Sequence, residues 1–350
     1  MDIRSDLGFE DILFPATPKF NDGHLDVGDG HKLYYHELGN PDGVPVVLVH
    51  GGPGGSLPVG CPFTRHHDPR YFRIIALDQR GCGQSLPHVA DDVKKATYKN
   101  NPHTLAADFE TLRKHLGIDK WHVYGYSWGS CLGTLYASLY PASVLSLTIG
   151  GIWMHTAREI DWYFNYMGLF FPEHEEALLK ILPPRVPRFD RMAYIYKAIT
   201  GKNKSLALKV AEAQGHYELM TTFFGPPMVT LTKPKTAKAR REHRQHMVSL
   251  GALECTFMYE HPLADDWYAT PAAQKALRSI KDFHIIQGRY DVICPPTMAY
   301  ELHKLYPHST LTMVQYAGHA TREVNMLQAL IKSANRVKYP AAKNVRGKKK

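Results

Sequence analysis

No apolar run in the 350-residue chain is long enough to cross a bilayer, which argues against a membrane-spanning or membrane-bound protein. The first residues, Met1-Asp2-Ile3-Arg4-Ser5-Asp6, mix charges and lead into no apolar stretch, so no signal peptide is expected. Cysteine is scarce: Cys61, Cys82, Cys131, Cys255 and Cys294 are odd in number, scattered and free of Cys-x-x-Cys spacing, the pattern of reduced thiols in a cytoplasmic protein. Among 20 histidines there is no His-Glu-x-x-His, and His174-Glu175-Glu176 lacks a second histidine at helical spacing, so no metal is expected. The glycines after His50 do not form Gly-x-Gly-x-x-Gly and no phosphate loop occurs, which leaves no cofactor to expect. Internal repeats are absent too.

Acidic residues are missing from one region in particular. From Lys332 to the end stand Lys332, Arg336, Lys338, Lys343, Arg346, Lys348, Lys349 and Lys350 with no acid, which accounts for eight of the nine excess positive charges. The body is therefore near neutral, and residues 339–350 read as a solvated tail rather than a nucleic-acid anchor. A second basic run, Lys233 to Arg244, lacks the interleaved aromatics of a single-strand platform and reads as the polar face of a helix. No nucleic-acid partner is expected, and nothing in the sequence speaks to oligomeric state.

What is present alternates between strands and helices. Residues up to about Asn21 look irregular, with Pro15 and Pro18 opposing regular structure. A hairpin around Asp29-Gly30 follows, then the apolar runs Val44–Val49 and Ile74–Leu77, of the kind buried on both faces of a parallel sheet. His103–Leu116 has helical spacing and ends at Gly117. Trp121–Gly125 reads as a strand running into a helix that continues through Leu139, and Val144–Ile149 as the next strand. From Trp153 to about Trp267 the text turns aromatic and helical, broken by Pro183-Pro184 and Pro226-Pro227; strands resume at Phe283–Gln287 and Thr310–Val314. The spacing predicts an α/β core in two parts, 1–152 and 268–338, with a helical cap over 153–267.

Chemistry concentrates where strands end. Gly125-Tyr126-Ser127-Trp128-Gly129 sits between strand and helix, the context of a nucleophile elbow whose serine hydroxyl is lifted above the sheet edge. Asp291 follows the Phe283 strand and His319 follows the Thr310 strand. The order Ser127, Asp291, His319, each at a strand's C-terminal end, resembles that of the α/β-hydrolase triad. In that arrangement His319 takes the serine proton, Asp291 holds the imidazole tautomer, and the N–H groups of Gly52 and Trp128 form the oxyanion hole. A serine where a carboxylate nucleophile would stand argues against epoxide hydrolase or dehalogenase chemistry.

Four motifs together resemble the proline iminopeptidases, serine peptidases of the α/β-hydrolase fold: His50-Gly51-Gly52-Pro53-Gly54, Asp78–Ser85, Gly125–Ser130 and Gly288-Arg289-Tyr290-Asp291-Val292-Ile293-Cys294-Pro295. The resemblance implies a mostly parallel sheet with a helical cap, and release of N-terminal proline from small peptides. It also implies a pair of cap glutamates binding the substrate imino group. Gln214-Gly215-His216-Tyr217-Glu218 is similar to the family's Trp-x-x-Trp-Glu segment without either tryptophan, and Ala252-Leu253-Glu254 to its Ile-Glu-Asn segment, with Cys255 in place of the Asn. Glu218 and Glu254 are the amine-binding residues so implied. An esterase or amidase of the same fold, and a non-catalytic binding protein on that fold, remain the alternatives.

Overall fold

A computed structural model describes residues 8–184, 186–225 and 234–338. The tail over 339–350 and the Pro226-Pro227 break lie outside the described residues.

Eight strands form one sheet: β1 (Lys19–Asp26), β2 (Lys32–Gly39), β3 (Val44–Val49), β4 (Phe72–Leu77), β5 (Trp121–Tyr126), β6 (Val144–Gly150), β7 (Phe283–Gly288) and β8 (Thr310–Val314). Their spatial order is β1-β2-β4-β3-β5-β6-β7-β8. β1 pairs antiparallel with β2, and β2 with β4; every later neighbour is parallel. β3 shows why its sequence is an unbroken apolar run. Val47 and Val49 face one core layer, Val46 and Leu48 the other, and all four are buried. A strand covered on both faces leaves no position for a polar side chain.

Twelve helices accompany the sheet among the described residues: α1 (Phe9–Ile12), α2 (Val93–Thr97), α3 (Pro102–His115), α4 (Trp128–Leu139), α5 (Ala157–Asn165), α6 (Pro172–Leu179), α7 (Arg191–Thr200), α8 (Lys204–Thr221), α9 (Ala237–Glu260), α10 (Pro271–Ser279), α11 (Pro296–Leu305) and α12 (Val324–Asn335). α3, α4 and α10 cover one face, while Met326 and Leu330 of α12 close the other. None of the described helices is long and apolar enough to cross a membrane. α5 to α9 lie between β6 and β7, with α8 packed on α9 and α7 against both. The chain leaves and re-enters the sheet layer at one neck, where Thr156 and Leu263 form an isolated parallel bridge. The first turns of α9 expose Lys238, Arg241 and Arg244, as the polar-face reading of that basic run requires.

Residues 8–20 are less irregular than their prolines suggest. Gly8 N–H donates to Asp11 Oδ2 at 3.0 Å and caps α1, and β1 begins at Lys19, opposite Leu38. Pro15 and Pro18 fall in the gap between these two elements. They punctuate the segment without forbidding structure on either side.

β5 lies between β3 and β6 at the centre of the sheet. The chain passes from β3 outward to β4 and then back across β3 to β5. The carboxyl ends of β3 and β5 therefore flank the point where strand order reverses, the place where an open α/β sheet leaves a crevice.

Candidate active site

Ser127 follows β5 and occupies the N-cap of α4 with φ 58° and ψ −127°. A positive φ on a residue bearing a Cβ is strained by about 1–3 kcal/mol. The surroundings enforce it. A Cβ on Gly125 would overlap the carbonyl oxygen of Gly129, and one on Gly129 would overlap that of Val49. Strand and helix are thus pressed together on both sides of the serine, and only hydrogen fits at the flanking positions.

His319 Nε2 lies 3.0 Å from Ser127 Oγ, and His319 Nδ1 lies 2.8 Å from Asp291 Oδ2. With Nδ1–H donating to the carboxylate, Nε2 is free to accept the serine O–H. Asp291 is buried and accepts two further bonds, from Gln287 Nε2 at 3.0 Å and from the Cys294 N–H at 2.8 Å. Burial pulls the His319 pKa down, but the Asp291 charge and hydrogen bond, followed by the Glu218 and Glu323 charges, outweigh it and hold the imidazole above its ordinary value. Asp291, Cys294 and His319 bring potential ligand atoms within 4.8 Å of one another. Two of those three side chains are already bonded to each other or to Ser127. Burial pushes the Cys294 thiol well above its usual range, so no thiolate is on hand to draw in a cation.

The loop after β3 passes directly over the nucleophile. A Cβ on Gly51 would stand 3.3 Å from Ser127 Cβ, and Gly52 has φ 110°. Trp128 is the first residue of α4, so its N–H lies outside the helical ladder. Gln79 ties the two sides together. Its Oε1 accepts the Trp128 indole N–H at 2.9 Å, its Nε2 donates to the His50 carbonyl at 3.1 Å, and its own N–H donates to His50 Nε2 at 3.1 Å. Behind it Arg80 donates twice to Asp108, at 2.7 and 2.8 Å, both residues being buried. The Asp78–Ser85 loop therefore packs charge behind the site, as its composition suggests.

Glu218 on α8 and Glu254 on α9 face each other across the helix pair, close enough for the charge of one to act on the other. Burial, then the Glu218 charge, raises the Glu254 carboxyl well above the usual carboxylate range. Tyr163 O–H donates to Glu218 Oε2 at 2.8 Å, and Gln214 Nε2 donates to the Tyr163 oxygen at 2.9 Å. Gln214 thus fills its tryptophan-like position with a polar support. Glu218 stands one turn before Thr222, whose carbonyl receives the His319 N–H at 2.7 Å, and its charge bears on His319, so it lies beside the triad.

Every site residue read from the sequence falls in this one region. Four supporting residues were not read from it: Gln79, Tyr163, Gln287 and Glu323. Gln287 bonds Asp291, the Cys294 carbonyl at 2.9 Å and the Ile152 N–H at 2.8 Å. Its place as the last polar residue of the strand that leads to the acid is the one signal that would have pointed to it.

Residues 44–325 match a family model described as the alpha/beta hydrolase fold. A proline iminopeptidase of Xanthomonas citri is 35% identical over 334 residues, covering 92% of this chain and 98% of the relative. One of Arabidopsis thaliana is 32% identical, covering 93% and 82%. Among solved structures, a hydrolase from Pseudomonas aeruginosa PA01 superposes with a TM-score of 0.58 at 17% identity, over 90% of this chain and 97% of that one, a likeness of fold alone. With its relatives matched over nearly their whole length, the chain belongs to the proline iminopeptidase family of α/β hydrolases.

Proposed function

We propose that the protein is a serine aminopeptidase that releases N-terminal proline from small peptides through an acyl-enzyme. The observation that carries this reading is the adjacency of the Ser127–His319–Asp291 chain to a pair of carboxyls, Glu254 buried and Glu218 half-buried. A secondary ammonium needs an anion to replace its lost water, and the Glu218–Glu254 pair supplies one where the substrate's first residue would sit. Helices α5 to α9 act as the cap that closes over that residue.

Ser127 Oγ attacks the carbonyl carbon of the proline residue while its proton passes to His319 Nε2. Charge developing on the carbonyl oxygen is met by the N–H groups of Trp128 and Gly52, at about 3 kcal/mol per donor. The imidazolium, steadied by Asp291, then protonates the departing amine nitrogen. Water, deprotonated by the same imidazole, hydrolyses the prolyl ester and frees proline. Five unpaired cysteines, four of them buried, support a reducing compartment, the cytoplasm, as the place of action.

Fluorogenic proline-amide, alanine-amide and short acyl-ester substrates, assayed side by side on wild type and Ser127→Ala, test the reading. Proline-amide turnover is expected to dominate and to fall at least about 10⁴-fold in the variant. Turnover of esters alone would replace the peptidase reading with an esterase, and no turnover of any of the three would leave a binding protein.

A further inference from the structure

A cleft of about 940 Å³ opens between α8 and α9. Its inner end borders the machinery already described. Leu250 lines it, and a Cβ on Gly52 would stand 3.2 Å from Leu250 Cδ1; Thr222 also lines it, and its carbonyl receives the N–H of His319. Glu218 gives this end a carboxylate. The outer end has the opposite character, with Arg240 and His243 on α9. Arg240, His243, Met247 and Leu250 follow one another at three- and four-residue steps, so a single stripe of the helix runs from the outer end to the inner.

The one guanidinium of the outer end lacks a carboxylate partner. Glu212, its one acid, accepts from His243 Nε2 at 2.9 Å. Arg240 donates Nη1 to the Lys235 carbonyl at 2.9 Å and forms no ion pair among the described residues. The cleft therefore carries a carboxylate beside the nucleophile and a guanidinium free of any ion pair at its far end, the complement of a short zwitterionic peptide lying with its amine inward. Length agrees. Ten residues of helix from Leu250 to Arg240 span roughly 15 Å, and seven to His243 roughly 10 Å. An extended chain covers these distances in about three or four residues.

We propose that this cleft is the leaving-group subsite, and that Arg240, with His243 beside it, receives the C-terminal carboxylate of a peptide extending about three or four residues beyond the scissile bond. The inference rests on the aminopeptidase reading and adds the other half of the substrate. A planar guanidinium suits a carboxylate better than a lone ammonium would, because two parallel N–H groups meet two oxygens. Longer chains lose the contact, since their carboxylate lies beyond the basic end.

The test compares Pro-Ala-Ala-Ala as the free acid with its C-terminal amide, measuring kcat/KM at low and high salt for wild type, Arg240→Gln and Lys238→Gln. Lys238 is exposed and lies outside the cleft, so its variant controls for general loss of positive charge. Wild type is expected to favour the acid by about five-fold at low salt, less at high salt. Arg240→Gln is expected to bring the ratio near one, and Lys238→Gln to keep it. Equal rates for acid and amide in wild type overturn the proposal, as does a preference that survives in Arg240→Gln. Should neither peptide be cleaved while an acyl ester is, the aminopeptidase reading falls and the subsite with it, an outcome distinct from cleavage without preference.

Discussion

The main-chain N–H of His319 donates to the carbonyl of Thr222 at 2.7 Å, and the next N–H, of Ala320, shares the same acceptor at 3.0 Å. The loop that carries the imidazole therefore hangs from the C-terminal end of α8. Glu323 reinforces the junction. Its Oε1 accepts the Phe224 N–H and its Oε2 the Gly318 N–H, each at 2.6 Å. One carboxylate thus spans the helical insertion and the histidine loop, so a shift of one displaces the other.

Gly318→Ala tests that junction. A Cβ there would stand 2.7 Å from the Thr222 oxygen and 2.8 Å from the Phe224 nitrogen, main-chain atoms with little freedom to withdraw. The loop is expected to move away from α8 and carry His319 off line with Ser127. A displacement of about 1 Å corresponds to a kcat/KM loss of roughly 10- to 100-fold, with circular dichroism unchanged. Wild-type kinetics in a folded variant would show that the two segments are not coupled.

The glutamate pair gives an asymmetric expectation. The Glu254 carboxyl is the one raised well above its usual range, so the neutral isostere in Glu254→Gln is expected to change KM for proline-amide only a few-fold. Glu218→Gln removes the anion that meets the substrate's ammonium and is expected to raise KM at least about ten-fold, with little effect on a neutral ester. Equal effects of the two substitutions, or a parallel loss on the ester, would dismiss this division of labour.

Acid should silence the enzyme at a higher pH than an ordinary histidine would dictate. His319 works as the neutral imidazole, and its pKa is held above 6.5. The rate of Ser127 modification by a sulfonyl fluoride is expected to rise with pH to a midpoint above that value. Glu218→Gln takes away a negative charge that favours the imidazolium, so its midpoint moves to lower pH. Asp291→Asn moves it further, since Asp291 contributes more than Glu218. An unmoved midpoint in Glu218→Gln would place that carboxylate out of electrical reach of the imidazole.

The triad was legible because each member follows a strand whose apolar run announces itself and stops abruptly. Backbone position at a strand end is a local property, and local properties can be read from text. Gln79, Gln287 and Glu323 were not legible, although they hold the oxyanion loop, the acid and the histidine loop in place. Glutamine and glutamate occur everywhere on protein surfaces, and their roles here depend on partners many residues away, such as His50 for Gln79 and Phe224 for Glu323. Glu218 and Glu254 stand between these cases. Nothing in their own surroundings in the text distinguishes them from exposed helix residues, and the resemblance to a family alone pointed to the pair. The start of the chain misled for a related reason: Pro15 and Pro18 mark a gap, and the gap was read as the whole segment.

The elbow at Ser127 has a consequence for how the protein tolerates change. The nucleophile itself is half-buried, with its hydroxyl held by His319, whereas Gly125 and Gly129 have no room for even a methyl group. Rewriting the reactive atom, oxygen for sulfur, is geometrically easy there; enlarging either neighbour would pry the sheet from its central helix. Freedom to vary is thus inverted at this spot, with the chemically decisive residue replaceable in shape and its inert companions fixed by sterics alone.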